Sequence, residues 1–163
     1  MIRPAQASDV PALLGLIRDL ARYEKLEHEV VGTEDDLRRH LFGPTPRVEA
    51  LVGDEGGALI GLALYFHNFS TFLCKPGLHL EDLFVMPEHR GKGHGAALLR
   101  ALAAVAVARG CGRLEWAVLD WNAPAKGFYR SLGAQEMTDW RIMRVTGEAL
   151  EELAGGAAER PVL

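Results

Sequence analysis

Cysteine is scarce in this chain. Of its 163 residues only Cys74 and Cys111 are cysteines, far apart and with no histidine or cysteine at metal-ligand spacing. That excludes a disulfide scaffold and reads as two free thiols in a reducing compartment. The six histidines form no zinc motif, so no metal is expected. Long apolar runs are also missing. Nothing approaches the roughly 20 residues needed to span a bilayer, and the amino-terminal MIRPAQASD has no apolar signal region, so a soluble, cytoplasmic protein is expected. Charge of one sign is concentrated nowhere: charged residues are 25% of the chain, with a formal net charge of −4. That argues against a nucleic-acid or anionic-membrane surface and leaves room for a cationic partner. The length suits one domain, taken as residues 1–154, with a loose tail over 155–163.

What the chain does have is the stretch Leu80 to Leu99, LEDLFVMPEHRGKGHGAALL, which reads as strand, turn, glycine-rich loop and helix. Leu80 to Met86 is an apolar run of strand length, closed by Pro87 and interrupted by two adjacent carboxylates, Glu81 and Asp82. Two acids inside a buried strand need a reason. From Ala96 the Ala/Leu pattern predicts a helix that Gly110 ends. Between them, Gly91, Gly93 and Gly95 let a ligand approach the backbone. The helix start offers unpaired N–H groups, and Arg90, Lys92 and His94 add cationic character. A phosphate or pyrophosphate is the simplest partner. A dinucleotide-binding turn fits poorly, because its strand is continuously apolar and its glycines follow at once, whereas here Pro87 to Arg90 intervene. No Gly-Lys-Ser or Gly-Lys-Thr follows, which also excludes a nucleoside-triphosphatase loop.

In chain order, Ile2 to Ala5 reads as a short strand, and Ser8 is the expected N-cap of a helix carrying Leu13, Leu14, Leu16, Ile17 and Leu20. Thr33 and Asp36 predict a capping box for a second helix, which Gly43 and Pro44 end. Arg47 to Gly53 and Ala58 to His67, joined by Asp54-Glu55-Gly56-Gly57, predict an antiparallel hairpin. Asn68 to Gly77 is read as the connection to the strand with the two acids. After the long helix come a strand from Arg113 to Leu119 and a short helix capped by Asn122 and ending at Leu132-Gly133. A last pair of strands is expected over Gln135 to Met137 and Trp140 to Val145.

Arg-x-x-Gly-x-Gly after a strand matches the acyl-CoA signature of the GNAT acetyltransferases. Tyr23-Glu24, Leu80-Glu81-Asp82, Arg90 to Gly95, Trp121-Asn122-Ala123-Pro124 and Phe128-Tyr129-x-x-x-Gly133-Ala134 together resemble the diamine (spermidine/spermine) and thialysine N-acetyltransferases. Ala117 to Asn122 and Leu132 to Gln135 lie closest to the thialysine branch. The resemblance implies a single-domain α/β fold of the GNAT type, a mixed, mostly antiparallel central sheet flanked by helices, in a homodimer. It implies acetyl transfer from acetyl-CoA to a primary amine of a diamine, polyamine or lysine-like amino acid. A CoA-binding sensor without catalysis is the alternative.

Carried over by position, the cosubstrate would be held by Leu83, Phe84 and Val85, by Arg90, Gly91, Lys92, Gly93, His94, Gly95 and Ala96, and by Asn122 and Lys126. The acceptor would meet Tyr23, Glu24, Glu81, Asp82 and Trp140. Glu81 is the candidate base and Tyr129 the candidate acid. A primary amine near pKa 10.4 is free at pH 7 in about four molecules per ten thousand, a deficit of ~4.6 kcal/mol that the site must offset. A carboxylate of ordinary pKa is a poor direct base, so Glu81 would bind the cation and relay its proton through water, or have its pKa raised by burial. The bland alternative is a structural acid paired with an arginine such as Arg141. Asn122, Lys126 and Tyr129 fall on one helix face. A tyrosine near 10 protonating a thiolate near 8.5 is uphill by roughly 1.5 units, ~2 kcal/mol, unless the site assists.

Overall fold

A computed structural model describes residues 1–156, and most of the tail expected over 155–163 lies outside the described residues. The chain divides into two compact units, Met1–Ala123 and a second from Pro124 onward.

The first unit holds a five-stranded sheet in the order β1-β2-β3-β4-β5. Its strands are β1 (Ile2–Pro4), β2 (Glu49–Glu55), β3 (Ala58–Ser70), β4 (Lys75–Val85) and β5 (Leu114–Trp116). The first four run antiparallel as a meander, and β5 joins β4 in parallel. This is the mixed, mostly antiparallel sheet expected. The β2–β3 turn needs its glycines: Gly56 and Gly57 both sit at positive φ (64° and 91°), the geometry of a two-residue hairpin turn whose twist matches the strands. Asp54 Oδ1 accepts from Gly57 N at 2.9 Å and fixes that turn.

Helices α1 (Val10–Tyr23), α2 (Glu34–Phe42) and α3 (His94–Ala108) complete the unit. Leu13, Leu16 and Leu41 of α1 and α2 pack with Ala50, Val52, Leu62, Leu64 and Phe84 of β2, β3 and β4 in one buried cluster. The α3 helix lies on β1 to β4 and buries Leu98, Leu99, Leu102 and Ala106. Each fully buried leucine contributes about 1.5–3 kcal/mol of apolar transfer. The capping box of α2 is present: the Thr33 hydroxyl accepts from Asp36 N, and the Asp36 carboxylate accepts from Thr33 N.

The start of α1 differs from expectation. Ser8 lies in a short 3-10 turn, Ala7–Asp9, and Asp9 takes the capping position without a side-chain cap bond. The Asp9 carboxylate is claimed instead by Arg3 at 2.7 Å and by Gln6 N at 2.7 Å. The connection before the acid-bearing strand is also shorter than read. Asn68 to Ser70 and Lys75 to Gly77 pair as strand residues, leaving only residues 71–74 as a turn, because β3 and β4 continue their ladder past the polar side chains.

The second unit contains α4 (Ala123–Ser131) and α5 (Gly147–Gly156). The strands expected over Gln135 to Met137 and Trp140 to Val145 are not formed, and neither run has a pairing partner among the described residues. Alternation alone makes no strand without a ladder to join. Trp140 N instead closes a turn onto Met137 O at 3.3 Å. Helix α5 was not anticipated, although Glu148 to Ala154 consists entirely of strong helix formers. No helix among the described residues is long and apolar enough to cross a membrane.

Candidate active site

The two acids of β4 sit where the sheet changes character. Against β3, the register runs Leu64↔Asp82 and then Tyr65↔Leu80, so Glu81 is an extra, bulged residue. Against β5, pairing ends at Leu80↔Trp116. From Glu81 to Val85 one edge of β4 therefore has no strand neighbour among the described residues. A bulge re-aims side chains and interrupts a ladder, and it lies here at the point where the parallel neighbour stops. On the other edge Leu83, Phe84 and Val85 stay paired to Ala63, Leu62 and Gly61. Gly61 is needed there: a Cβ would meet Phe84 O at 2.6 Å.

The strand then leads through a 3-10 turn, Pro87–His89, into the glycine loop. Gly91 and Gly93 adopt φ of 74° and 85°, left-handed conformations that favour glycine, and Gly93 is the N-cap of α3. Ala97 N donates to Gly93 O at 2.9 Å and is the first helical donor. The N–H groups of His94, Gly95 and Ala96 precede it and have no intrahelical acceptor. Space beside Gly91 and Gly93 is open, with no atom within 4 Å of an added Cβ. A row of outward N–H groups at a positive helix end, beside open space, fits a pyrophosphate. Helix α3 begins two residues earlier than the Ala/Leu pattern predicted, because Gly93 supplies the turn.

Glu24 follows the last residue of α1 and gathers with the β4 acids. Asp82 is half-buried, and its carboxyl is raised to about 6, first by burial and then by the charges of Glu81 and Glu24. Burial also raises Glu24. Glu81 is the exposed member of the trio, with His79 Nε2 at 3.8 Å. Arg141, the alternative partner for that carboxylate, donates to the carbonyls of Thr138 and Trp140. A carboxyl held near 6, as Asp82 is, is suited to accepting a proton near neutrality.

Residues 16–134 match the Acetyltransferase (GNAT) family. The chain belongs to this family. Thialysine N-epsilon-acetyltransferase of Bos taurus is 42% identical over 166 residues, covering 95% of this chain and 97% of the relative. L-ornithine N5-acetyltransferase of Arabidopsis thaliana is 32% identical over 197 residues, covering 93% and 86%. Among solved structures, an integron cassette protein from the mobile metagenome of V. cholerae superposes with a TM-score of 0.79 at 29% identity, covering 94% and 96% of the two chains. This GNAT protein is an acetyl-CoA-dependent N-acetyltransferase.

Several side chains of the GNAT chain do work that spacing did not reveal. Arg90 Nε donates to Val85 O at 2.8 Å, and its guanidinium lies 4.9 Å from the Tyr23 ring centre and 5.3 Å from that of Phe84. Tyr23 in turn meets Trp121 at 6.1 Å, and Lys25 Nζ lies 5.8 Å over the Trp121 ring. Arg90 thus ties the loop to β4 and the end of α1, a contact made by residues remote in sequence. Lys92 is exposed. Asn122 is buried and directly precedes α4, the expected capping position. In the second unit, Lys126 Nζ pairs with Glu136 at 2.9 Å, and Arg130 joins the same carboxylate. Tyr129 lies in the last turn of α4, two residues before its end, and Trp140 in the turn after Met137. The first unit also brings together Glu55, His89 and His94, which no local spacing could have linked.

Proposed function

We propose that this GNAT enzyme acetylates the primary amine of a small cationic substrate, a diamine, polyamine or thialysine-like or ornithine-like amino acid. The observation that carries the reading is the gathering of Glu24, Glu81 and Asp82 at the point where β4 loses its parallel neighbour. A binding-only CoA sensor would keep the glycine loop but has no need for a carboxyl held near 6 beside two further acids.

When bound, acetyl-CoA supplies an activated acetyl thioester. The loop amides from Gly91 to Gly95, including the backbone N–H of His94 at the helix start, with Ala96 at the first turn of α3 and the Lys92 ammonium, would hold its pyrophosphate, while Arg90 fixes the loop. The unpaired edge of Leu83, Phe84 and Val85 offers backbone donors for the pantetheine and the thioester oxygen. Asn122 and Lys126 are assigned to the same cosubstrate by family position.

The acids would draw in the ammonium, with Tyr23 and Trp140 assigned to the acceptor by family position. Proton removal follows at Asp82, or through water at Glu81. A carboxyl near 6 narrows the gap to an amine near 10.4 by about two units relative to an ordinary aspartate, ~3 kcal/mol of the deprotonation cost. Tyr129 is assigned the proton returned to the leaving thiolate, again by family position. The shared likeness further implies a homodimer. The exposed Phe69 and Phe72 at the β3–β4 turn supply apolar surface for one.

The test is a panel of amines incubated with acetyl-CoA, following thiol release. Release with cationic amines and none with neutral or acidic controls is expected. If no amine gives release while acetyl-CoA still raises the melting temperature, the sensor reading replaces catalysis.

A further inference from the structure

Glu55, His89 and His94 come from three separate places: the β2–β3 turn, the 3-10 turn after β4, and the first residue of α3. The fold brings one donor atom of each within 4.8 Å of the others. His89 Nδ1 lies 3.1 Å from Glu55 Oε2. That nitrogen is shielded from solvent yet makes no hydrogen bond. The two imidazole rings lie edge to face with centres 6.2 Å apart. A shielded ring nitrogen beside a carboxylate, with a second imidazole adjacent, is a donor set lacking only its acceptor.

We propose that these three side chains form a binding site for a divalent transition-metal ion, with zinc as the reference occupant. Tetrahedral zinc with ligands at about 2.05 Å spaces them about 3.4 Å apart, so closing a 4.8 Å separation needs a movement of about 1.4 Å. Glu55 and His89 are already 3.1 Å apart, so rotation of the half-buried His94 and exposed Glu55 side chains supplies that movement. Two imidazoles and one carboxylate leave a fourth position for water, the pattern of an open zinc site.

The surroundings select the class of metal. The site adjoins the positive end of α3, which repels any cation held only by charge. Calcium and magnesium, which need six or more oxygen ligands or a largely retained water shell, find one carboxylate here. Imidazole-seeking ions such as Zn²⁺, Co²⁺, Ni²⁺ and Cu²⁺ gain bonds strong enough to outweigh that repulsion. The proposal stands on donor geometry alone and is independent of which amine is acetylated.

The test uses tag-free, full-length protein titrated with Co²⁺, whose visible absorption reports tetrahedral nitrogen and oxygen coordination, followed by displacement with Zn²⁺. The expected result is one Co²⁺ per chain with tetrahedral bands that Zn²⁺ abolishes. His89→Gln and Glu55→Gln should each weaken binding at least tenfold, while their metal-free melting temperatures stay at the wild-type value. His67→Gln, away from the cluster, should bind Co²⁺ as the wild type does. Absence of the bands, or bands retained in both cluster variants, overturns the site. Because coordination is read without acetyl transfer, failure here is distinct from failure of the proposed catalysis.

Discussion

Replacing Asp82 by Asn should make the ligand-free protein more stable at neutral pH, although it removes a proposed functional group. The folded carboxyl titrates at about 6, whereas an unfolded aspartate titrates near 3.9. Between those values the folded state binds more protons than the unfolded state, so stability falls as pH rises through the window. Above pH 6 the full penalty applies: about 2.1 units at 1.36 kcal/mol each, a ceiling of about 3 kcal/mol. Asp82 is only half-buried, so solvent reduces the gain to roughly 1–3 kcal/mol. Urea denaturation of wild type and Asp82→Asn at pH 7.5 and pH 4.0 measures it. The variant should be more stable at pH 7.5, and at pH 4.0, close to the unfolded pKa, the difference should shrink to about 0.5 kcal/mol or less. Adding 1,3-diaminopropane at pH 7.5 should stabilise the wild type and narrow the difference. An equal difference at both pH values would refute the reasoning, because a packing effect does not titrate.

Tyr129→Phe should lower kcat by 10²–10⁴-fold, about 3–5 kcal/mol, with the acetyl-CoA affinity and amine KM nearly unchanged, as steady-state kinetics and calorimetry would show. Gly93→Val places a β-branched residue at φ 85° on the cap of α3; it should abolish the melting shift given by acetyl-CoA, and an intact shift would count against the loop as cofactor site. Gly61→Ala, whose Cβ would meet the Phe84 carbonyl at 2.6 Å, should destabilise the fold by about 1–3 kcal/mol in the same urea assay. Light scattering at micromolar concentration should report a dimer, and a monomer there removes the proposed shared assembly.

The meander was legible because its signals are local. Two glycines in the Glu55–Ala58 turn, the Thr33–Asp36 box and Gly110 after α3 each fix backbone geometry within a few residues. The glycine loop was legible for the same reason, and the order of residue types carried the family likeness. What escaped reading depends on distant partners. Asp9 is claimed by Arg3 and Asp54 shares that arginine, so Ser8 lost the cap. Alternation from Trp140 to Val145 looked like a strand, but a strand exists only if another lies beside it. Adjacent acids on β4 announced a site, yet their division into an exposed Glu81 and a perturbed Asp82 follows from a bulge set by cross-strand register. The Glu55, His89 and His94 cluster was invisible because its donors come from the β2–β3 hairpin, the 3-10 turn after β4 and the start of α3.

The central claim is that the acid trio selects and activates a cationic amine, and the most direct measurement compares kcat/KM for 1,3-diaminopropane and n-butylamine with acetyl-CoA. The two acceptors are nearly isosteric and differ by one ammonium group. The account predicts a preference for the diamine of at least tenfold at low salt, about 1.4 kcal/mol, that largely disappears in Asp82→Asn and Glu81→Gln and shrinks as salt rises. Equal acetylation of both amines by the wild-type enzyme, or a preference unchanged in both variants, would contradict it.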